Sequence, residues 1–506
     1  MNLPATLGEL KQSGYKVLAV KEEIRRNLIE KLSRGEKLFP GIIGYESTVV
    51  TGLVNALLAK HDILLLGLRG QAKSRILRLF PSLLDEFIPV VRGCEINDNP
   101  FKPVCHRCVE LANECGDATE IEWLHRDARY GEKLATPDVT IADLIGDIDP
   151  IKAASKRLHY SHEGAIHFGI IPRTNRGIFA INELPDLQPR IQVGLFNIME
   201  EKDIQIRGFN IRIPLDVMIV FTANPEDYTN RGNIITPLKD RIDSQILTHY
   251  PRTRDDAIAI TEQEAWIKRD GKDVVIPRYF REIVEQIAFE ARKSEYVDQK
   301  SGVSARLTIS AIENLVSNAE RRTLQHGDRT VMPRLCDLTQ VLPGLTGKIE
   351  LVFEGEQEGA IKVSRALIGK AVRDVFKKYF PDPLQKKPTR VHAVEPARNP
   401  QPVEDSEYAR IIQWFEAGNK IEISDDMPVE PYFKELDKVK GLRDVTKRHM
   451  NIPDQNIHEL ASAMEFVLDG LHQFSKIAKD EVEHVTSYKD MVGSIFVGKG
   501  KGFEED

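Results

Sequence analysis

Gly67-Leu-Arg-Gly70-Gln71-Ala72-Lys73-Ser74 carries the most explicit chemistry in the chain. Glycines let backbone N–H groups turn inward around an anion, and a helix opening directly after them adds a favourable dipole. Lys73 would then reach the β- and γ-phosphates of a nucleotide, and Ser74 would place its hydroxyl on Mg²⁺, with Gln71, Ala72 and Arg75 beside the phosphates. Ala72 stands where such loops usually have glycine; a negative φ would accommodate it. A second group is Ile178-Phe-Ala-Ile-Asn182-Glu183, four apolar residues followed by two polar ones. In α/β sheets ligands gather at the carboxyl ends of strands. Asn182 occupies the position where an Asp usually holds Mg²⁺ through water. Its amide oxygen can accept from metal-bound water but brings no charge. Glu183 would polarise the attacking water. Asn224, closing the run Val217 to Phe221, could orient water near the γ-phosphate. The bland alternatives are a glycine-rich turn with a chance Lys-Ser and a strand end capped by Asn-Glu. The strand–loop–helix context and the pairing of the two motifs weigh against both.

These residues need a sheet to position them. Ile63 to Leu66, Phe87 to Val91, Ile178 to Ile181 and Val217 to Phe221 are apolar runs without alternation, the pattern of strands buried on both faces. Their alternation with helical patterns predicts a parallel α/β sheet. Residues 1–38 read as a helical segment, with Ile24, Leu28 and Leu32 on one face of Lys21 to Leu38. The α/β core spans 39–250. After Tyr250-Pro251 the pattern becomes helical: around Ile283 and Ile287, over Ile309 to Leu324, and over Ala360 to Phe380. This gives a helical domain over 251–380. Prolines at 381, 383, 388, 396, 400 and 402 mark a linker over 381–405. A small, mostly helical domain follows over 406–506.

In order along the chain, Ile43-Gly44-Tyr45-Glu46, Gly67 to Ser74, Asn182-Glu183, Asn224, Arg241 and Arg306 resemble the marks of an AAA+ ATPase, most nearly the magnesium-chelatase ATPase subunit and MoxR-like group. Leu144 to Gly177 resembles that group's helix-2 insertion. Ile204 to Ile213, alternating around Gly208-Phe-Asn, resembles its presensor-1 hairpin. The resemblance covers 36–380. It implies an AAA+ P-loop sheet carrying both insertions, a helical lid over 251–380, and a Mg²⁺-dependent ATPase that converts ATP to ADP and phosphate. It further implies Glu183 as catalytic glutamate, Asn224 as sensor 1, Arg241 as arginine finger acting in trans and Arg306 as sensor 2. Ile43 and Gly44, with Ile42, would lie near adenine. Such proteins form rings, usually hexamers, and work with a von Willebrand factor A-domain partner. The function implied is a motor that remodels a partner protein, as a chelatase-like or MoxR-like chaperone. An alternative is a nucleotide-binding scaffold whose hydrolysis is weakened by Asn182. A DNA-acting or transcription-activating ATPase is disfavoured, because the chain has neither a GAFTGA loop nor a visible helix-turn-helix.

Composition agrees with a globular protein. The 506 residues carry a net charge of −7, against the basic balance expected of a nucleic-acid-wrapping chain. No run approaches a membrane span, and Met1 to Tyr15 does not read as a secretory signal, so a cytoplasmic location is expected. Of the 5 cysteines, Cys94, Cys105, Cys108 and Cys115 fall in one insertion after Phe87 to Val91. Cys105-His106-Arg-Cys108 is a tight pair, and four thiolates around Zn²⁺ would staple the loop, with His106 as a substitute ligand. The alternative is scattered thiols in a polar loop. His159, His162, Glu163 and His167 cluster in the segment that resembles the helix-2 insertion; metal binding is one reading there, and an exposed hairpin is the plainer one. Cys336 is expected to pack in a core.

Overall fold

Five parallel strands form the scaffold of the first unit: β1 (Ile63–Leu66), β2 (Tyr130–Leu134), β3 (Gly177–Asn182), β4 (Val217–Ala223) and β5 (Ser244–Leu247), in the order β5-β1-β4-β3-β2. The computed structural model describes residues 3–155, 157, 163–206, 212–225, 233–384, 407–482 and 484–491. They divide into two compact units, Met1–Tyr250 and Pro251–Asp506.

The apolar runs of β1, β3 and β4 have a direct explanation. Successive side chains point to opposite faces of a sheet. Leu64, Leu66, Phe179, Ile181, Ile219 and Phe221 enter one hydrophobic core. Ile63, Leu65, Ile178, Ala180, Met218 and Val220 enter another. With both faces covered, no position is left for a polar residue. β2, Tyr-Gly-Glu-Lys-Leu, and β5, Ser-Gln-Ile-Leu, are the outer strands, only partly buried, and lack this signature.

Phe87–Val91 is a strand, as its pattern suggests, but it lies outside the parallel sheet. It pairs antiparallel with Ile121–His125 in a two-stranded ribbon, Pro89 opposite Trp123. Proline cannot donate to a ladder, so a strand containing one suits such an edge position.

Helix α1 (Val20–Ser33) is fastened to the scaffold by buried charge. Glu23 accepts two bonds from Arg129, at 2.7 and 2.6 Å, and Asp216 accepts from the Val20 N–H at 2.8 Å. Where the helix-2 insertion is expected, Gly146–Ile148 pairs antiparallel with Ile166–Phe168. Where the presensor-1 hairpin is expected, Asp203–Gln205 pairs with Arg212–Pro214. Its Gly208-Phe-Asn turn lies outside the described residues, as do His159 and His162.

The second unit is mainly helical, led by α2 (Arg278–Ala291), α3 (Arg306–His326), α4 (Ala360–Tyr379) and α5 (Ile457–Gln473). The C-terminal part also contains an antiparallel sheet of Ile421–Ser424, Val485–Lys489 and Ala478–Val482. That part, read from sequence as a separate small domain, shares one core with the helices before the linker. Tyr279 stacks on Phe466 with ring centroids 4.7 Å apart. Arg322 makes two 2.8 Å bonds to Asp337 and reaches the Asp425 carbonyl at 3.2 Å. Gly470 permits α4 and α5 to meet, since a Cβ there would stand 2.1 Å from the Phe376 ring. Cys336 is buried in this unit, as expected. Among the described residues, no helix is long and apolar enough to cross a membrane.

Candidate functional site

β1 runs directly into the glycine loop. The Gly67 N–H bonds the Ala223 carbonyl at 3.1 Å, fixing the loop against the end of β4. A Cβ at Gly67 would stand 1.8 Å from Thr248 Oγ1 and 2.3 Å from Gln71 Oε1, so only glycine fits. Those two atoms bond each other at 2.6 Å, tying the loop to the residue after β5. Gly70 takes a left-handed φ of 72°. Ala72 does too, at 57°, contrary to the negative φ expected of an alanine. A non-glycine residue in this region costs about 1–2 kcal/mol. The loop thus keeps the backbone path of a glycine without the glycine.

Lys73 begins the short helix after the loop and is buried. Its ammonium donates to the carbonyls of Gly67 and Leu68, the latter at 3.1 Å, and to Asn224 Oδ1 at 2.6 Å. Ser74 Oγ lies 3.4 Å from Asn182 Oδ1. Arg75 is on the helix's exposed side. The loop's lysine and serine therefore meet the polar ends of β4 and β3. Lys73, Ser74, Asn182 and Asn224, found independently in the sequence, converge in space.

Asn182 has a further partner that sequence reasoning missed. Its Nδ2 donates to Glu132 Oε1 at 2.6 Å. Glu132, on the outer strand β2, is also held by Arg78 at 3.0 and 3.1 Å. Burial would raise this carboxyl's pKa, but the bonds from Arg78 and Asn182 hold it below the usual range. No motif announces Glu132, because its strand carries no apolar run; only the strand order brings it beside β3. Thr222 donates from Oγ1 to Asn182 Oδ1 at 3.2 Å and accepts from the Glu183 N–H at 3.1 Å. Glu183 itself has φ 56° and ψ 51°, strained for a glutamate.

Ile43 and Gly44 precede Tyr45, whose hydroxyl donates to the carbonyls of Gln71, at 3.0 Å, and His249, at 2.6 Å. Burial pushes the Tyr45 phenol up to about 12, keeping it a donor. The Ile43-Gly44 turn is thereby held at the glycine loop. Arg241 turns to the surface of its own unit. Its guanidinium donates to Glu200 at 2.8 Å and lies 4.7 Å from the Phe196 ring centroid. Arg306, the first residue of α3, is exposed in the second unit.

The oxygen set of Ser74, Asn182 and Glu132 suits a hard cation such as Mg²⁺, and the glycine cradle suits phosphate. The residues present therefore fit a Mg²⁺-nucleotide. Three of the four cysteines expected to bind zinc come together: Cys94, Cys105 and Cys108, joined by Asp98. Cys115 is not in that group; it is exposed at the end of the helix His106–Cys115. Of the candidate His/Glu cluster, the Glu163 carboxylate accepts from the His106 N–H at 2.9 Å, and His167 faces Arg173.

The strand order, the loop and the polar strand ends give the first unit a parallel α/β sheet with a glycine-rich strand–loop–helix turn and a cluster of polar residues at its carboxyl edge. No protein-family model matches the chain. Among curated proteins it is similar to an archaeal Lon protease of Thermococcus kodakarensis, 29% identical over 170 residues. The match takes in 30% of this chain and spans only 25% of that protein's length. Among solved structures it is similar to a putative ATPase from Cytophaga hutchinsonii, with TM-score 0.30 and 16% identity over 71% of this chain and 97% of that one. A BchI–BchD magnesium chelatase complex gives TM-score 0.33 and 19% identity over 63% and 98%. NtrX from Brucella abortus gives TM-score 0.30 and 13% identity over 61% and 54%. At these TM-scores the fold assignment rests on the strand order and the loop.

Proposed function

We propose that the first unit binds ATP with Mg²⁺ and hydrolyses it to ADP and phosphate. The observation that carries this reading is the convergence of Lys73 with Asn224 and of Ser74 with Asn182 at the carboxyl ends of the central strands. Bound Mg²⁺ would neutralise phosphate charge as it develops. Ser74, Asn182 and, through Asn182, the Glu132 carboxylate would hold that ion. Lys73 would exchange its loop carbonyls for phosphate oxygens. Glu183 would take the proton of the attacking water, with Asn224 orienting that water. Ile43 and Gly44 would border the base.

The wider role follows the same proposal. The chain would assemble as a homo-oligomeric ring, with Arg241 leaving Glu200 to reach a neighbouring subunit's phosphates, and the paired strands Asp203–Gln205 and Arg212–Pro214 facing a client. A remodelling motor of chelatase-like or MoxR-like type, working with a von Willebrand factor A-domain protein, fits this arrangement. Phosphate release by purified protein tests the core claim. Lys73→Ala should abolish nucleotide binding, while Glu183→Gln should bind ATP and not turn it over. Robust turnover by Glu183→Gln would remove Glu183 as the base. Tight ATP binding without turnover by the wild type, alone and assembled, would instead favour a nucleotide-binding scaffold, the reading that Asn182 motivates.

A further inference from the structure

The loop after the strand Phe87–Val91 and the first turn of the helix His106–Cys115 together gather four side chains that the ATPase chemistry does not use. The sulfurs of Cys94, Cys105 and Cys108 and one carboxylate oxygen of Asp98 all lie within 4.8 Å of one another. The Cys94 and Cys105 sulfurs are 3.9 Å apart. Tetrahedral zinc with bonds near 2.3 Å to sulfur sets its thiolates about 3.8 Å apart. The group is thus preformed at the spacing of one tetrahedral ion.

Asp98 supplies the independent sign. It is 1% exposed. Its Oδ2 accepts from the N–H groups of Val104, at 3.1 Å, and Cys105, at 2.9 Å. Its Oδ1 is buried and makes no hydrogen bond. A buried carboxylate oxygen with nothing to accept is expensive unless something positive faces it. The Asp98 N–H also bonds the Cys94 sulfur at 3.4 Å, so the loop backbone holds donor and ligand together.

We propose that Cys94, Asp98, Cys105 and Cys108 bind one structural Zn²⁺. Three soft thiolates select zinc over magnesium or calcium. Four protein ligands leave no open position, so the site is closed and not hydrolytic. The ion would brace the approach to β3. The Ile96 carbonyl accepts from Asn175 at 3.0 Å, and Asn97 donates to the Arg173 carbonyl at 2.7 Å. Asn175 also accepts from the Asp216 N–H, at 2.9 Å, just before β4. The clamped loop therefore backs the turn that feeds the strand ending in Asn182 and Glu183.

Elemental analysis of the full-length chain, purified without added metal or chelator, should find one zinc per chain. Cobalt added to chelator-stripped protein should give the thiolate charge-transfer and tetrahedral d–d bands. Cys115→Ser should keep full metal content. Cys108→Ser should lose it, and Asp98→Ala should weaken cobalt binding by roughly tenfold or more. Zinc should shield Cys105 and Cys108 from alkylation while leaving Cys115 reactive. The wild-type cobalt titration keeps the test decisive if a variant fails to fold. Wild-type protein that takes up neither zinc nor cobalt would overturn the proposal. So would a Cys94–Cys105 disulfide in freshly purified protein, iron in place of zinc, or loss of metal in Cys115→Ser with Asp98→Ala unaffected.

Discussion

Asn182 Nδ2 and Glu132 Oε1 are joined by a 2.6 Å hydrogen bond, and this contact fixes which way the amide faces. Rotating the amide would set two oxygens against each other. Its Oδ1 must therefore point to Thr222, at 3.2 Å, and toward Ser74, at 3.4 Å. The negative charge that an Asp would bring to the end of β3 is present one strand away, on Glu132.

An acidic residue at 182 should consequently not behave as a simple restoration. In Asn182→Asp the new carboxylate faces Glu132, a hydrogen bond is lost and two like charges meet. The cost without metal is about 1–3 kcal/mol, or several degrees in Tm for a unit of this size. Saturating Mg²⁺ should recover most of that loss, and Asn182→Asp combined with Glu132→Gln should recover it without metal. Glu132→Gln alone should weaken Mg²⁺ dependence of ATP binding. Thermal melts with and without Mg²⁺ read the first three outcomes, and the same melts with ATP added read the fourth. An Asn182→Asp protein as stable as the wild type in chelator would contradict the charge argument.

The glycine loop offers a second test. Ala72 sits at φ 57°, so Ala72→Gly should relieve backbone strain. Part of that gain is offset by the greater freedom of glycine in the unfolded chain. The net expectation is about 0.5–1 kcal/mol of added stability in urea unfolding, with nucleotide affinity kept or improved. Gly67→Ala should do the opposite, because its Cβ would collide with Thr248 and Gln71. Loss of stability in Ala72→Gly would mean that the alanine methyl makes a contact worth more than the strain.

The difference between what was legible and what was not follows from burial. β1, β3 and β4 announce themselves because both faces are covered. β2 and β5 do not, because outer strands tolerate polar residues, and Glu132 was hidden with β2. Phe87–Val91 looked like a sheet strand because an apolar run cannot say which partner covers it. The meeting of Lys73 with Asn224 and of Ser74 with Asn182 was legible because each stands in a recognisable pattern, a glycine-rich turn after an apolar run or the polar end of such a run. Asp98 was not, since a lone aspartate four residues after a cysteine has no signature until the loop closes around it. The union of the C-terminal segment with the helices of 251–384 was hidden for a similar reason. The pairings that make it, such as Leu335 N–H to Glu465 at 3.0 Å, cross more than a hundred residues.

Arg241 tests assembly. It is held by Glu200 and Phe196 within its own unit, and releasing it toward a neighbour exchanges an exposed ion pair, worth little, for contact with phosphate. Arg241→Ala should keep ATP binding and lose turnover by roughly 10³-fold. If it acts in trans, mixing Arg241→Ala chains with Lys73→Ala chains should restore part of the activity that neither has alone. Mixtures as inactive as their components would argue that Arg241 serves its own subunit or only the surface.

The second unit should respond to pH through Glu285. This carboxyl is buried on α2 and accepts from Thr261 Oγ1, which itself lies 2.9 Å from Thr308 Oγ1. Burial raises its pKa to about 7, only partly opposed by the Thr261 bond and by Arg292. A carboxyl with a raised folded pKa binds its proton more tightly when folded. Its contribution is therefore fully present below the unfolded value, near 4.5, and is lost as pH climbs through about 7. The unit's stability should fall by a few kcal/mol across that window. Glu285→Gln keeps a side chain that can still accept from Thr261 and carries no proton to lose, so it should flatten this slope and be the more stable protein at pH 8. Calorimetric unfolding of both proteins from pH 4 to pH 8 measures the difference, and parallel stability curves would show that Glu285 does not titrate in this range.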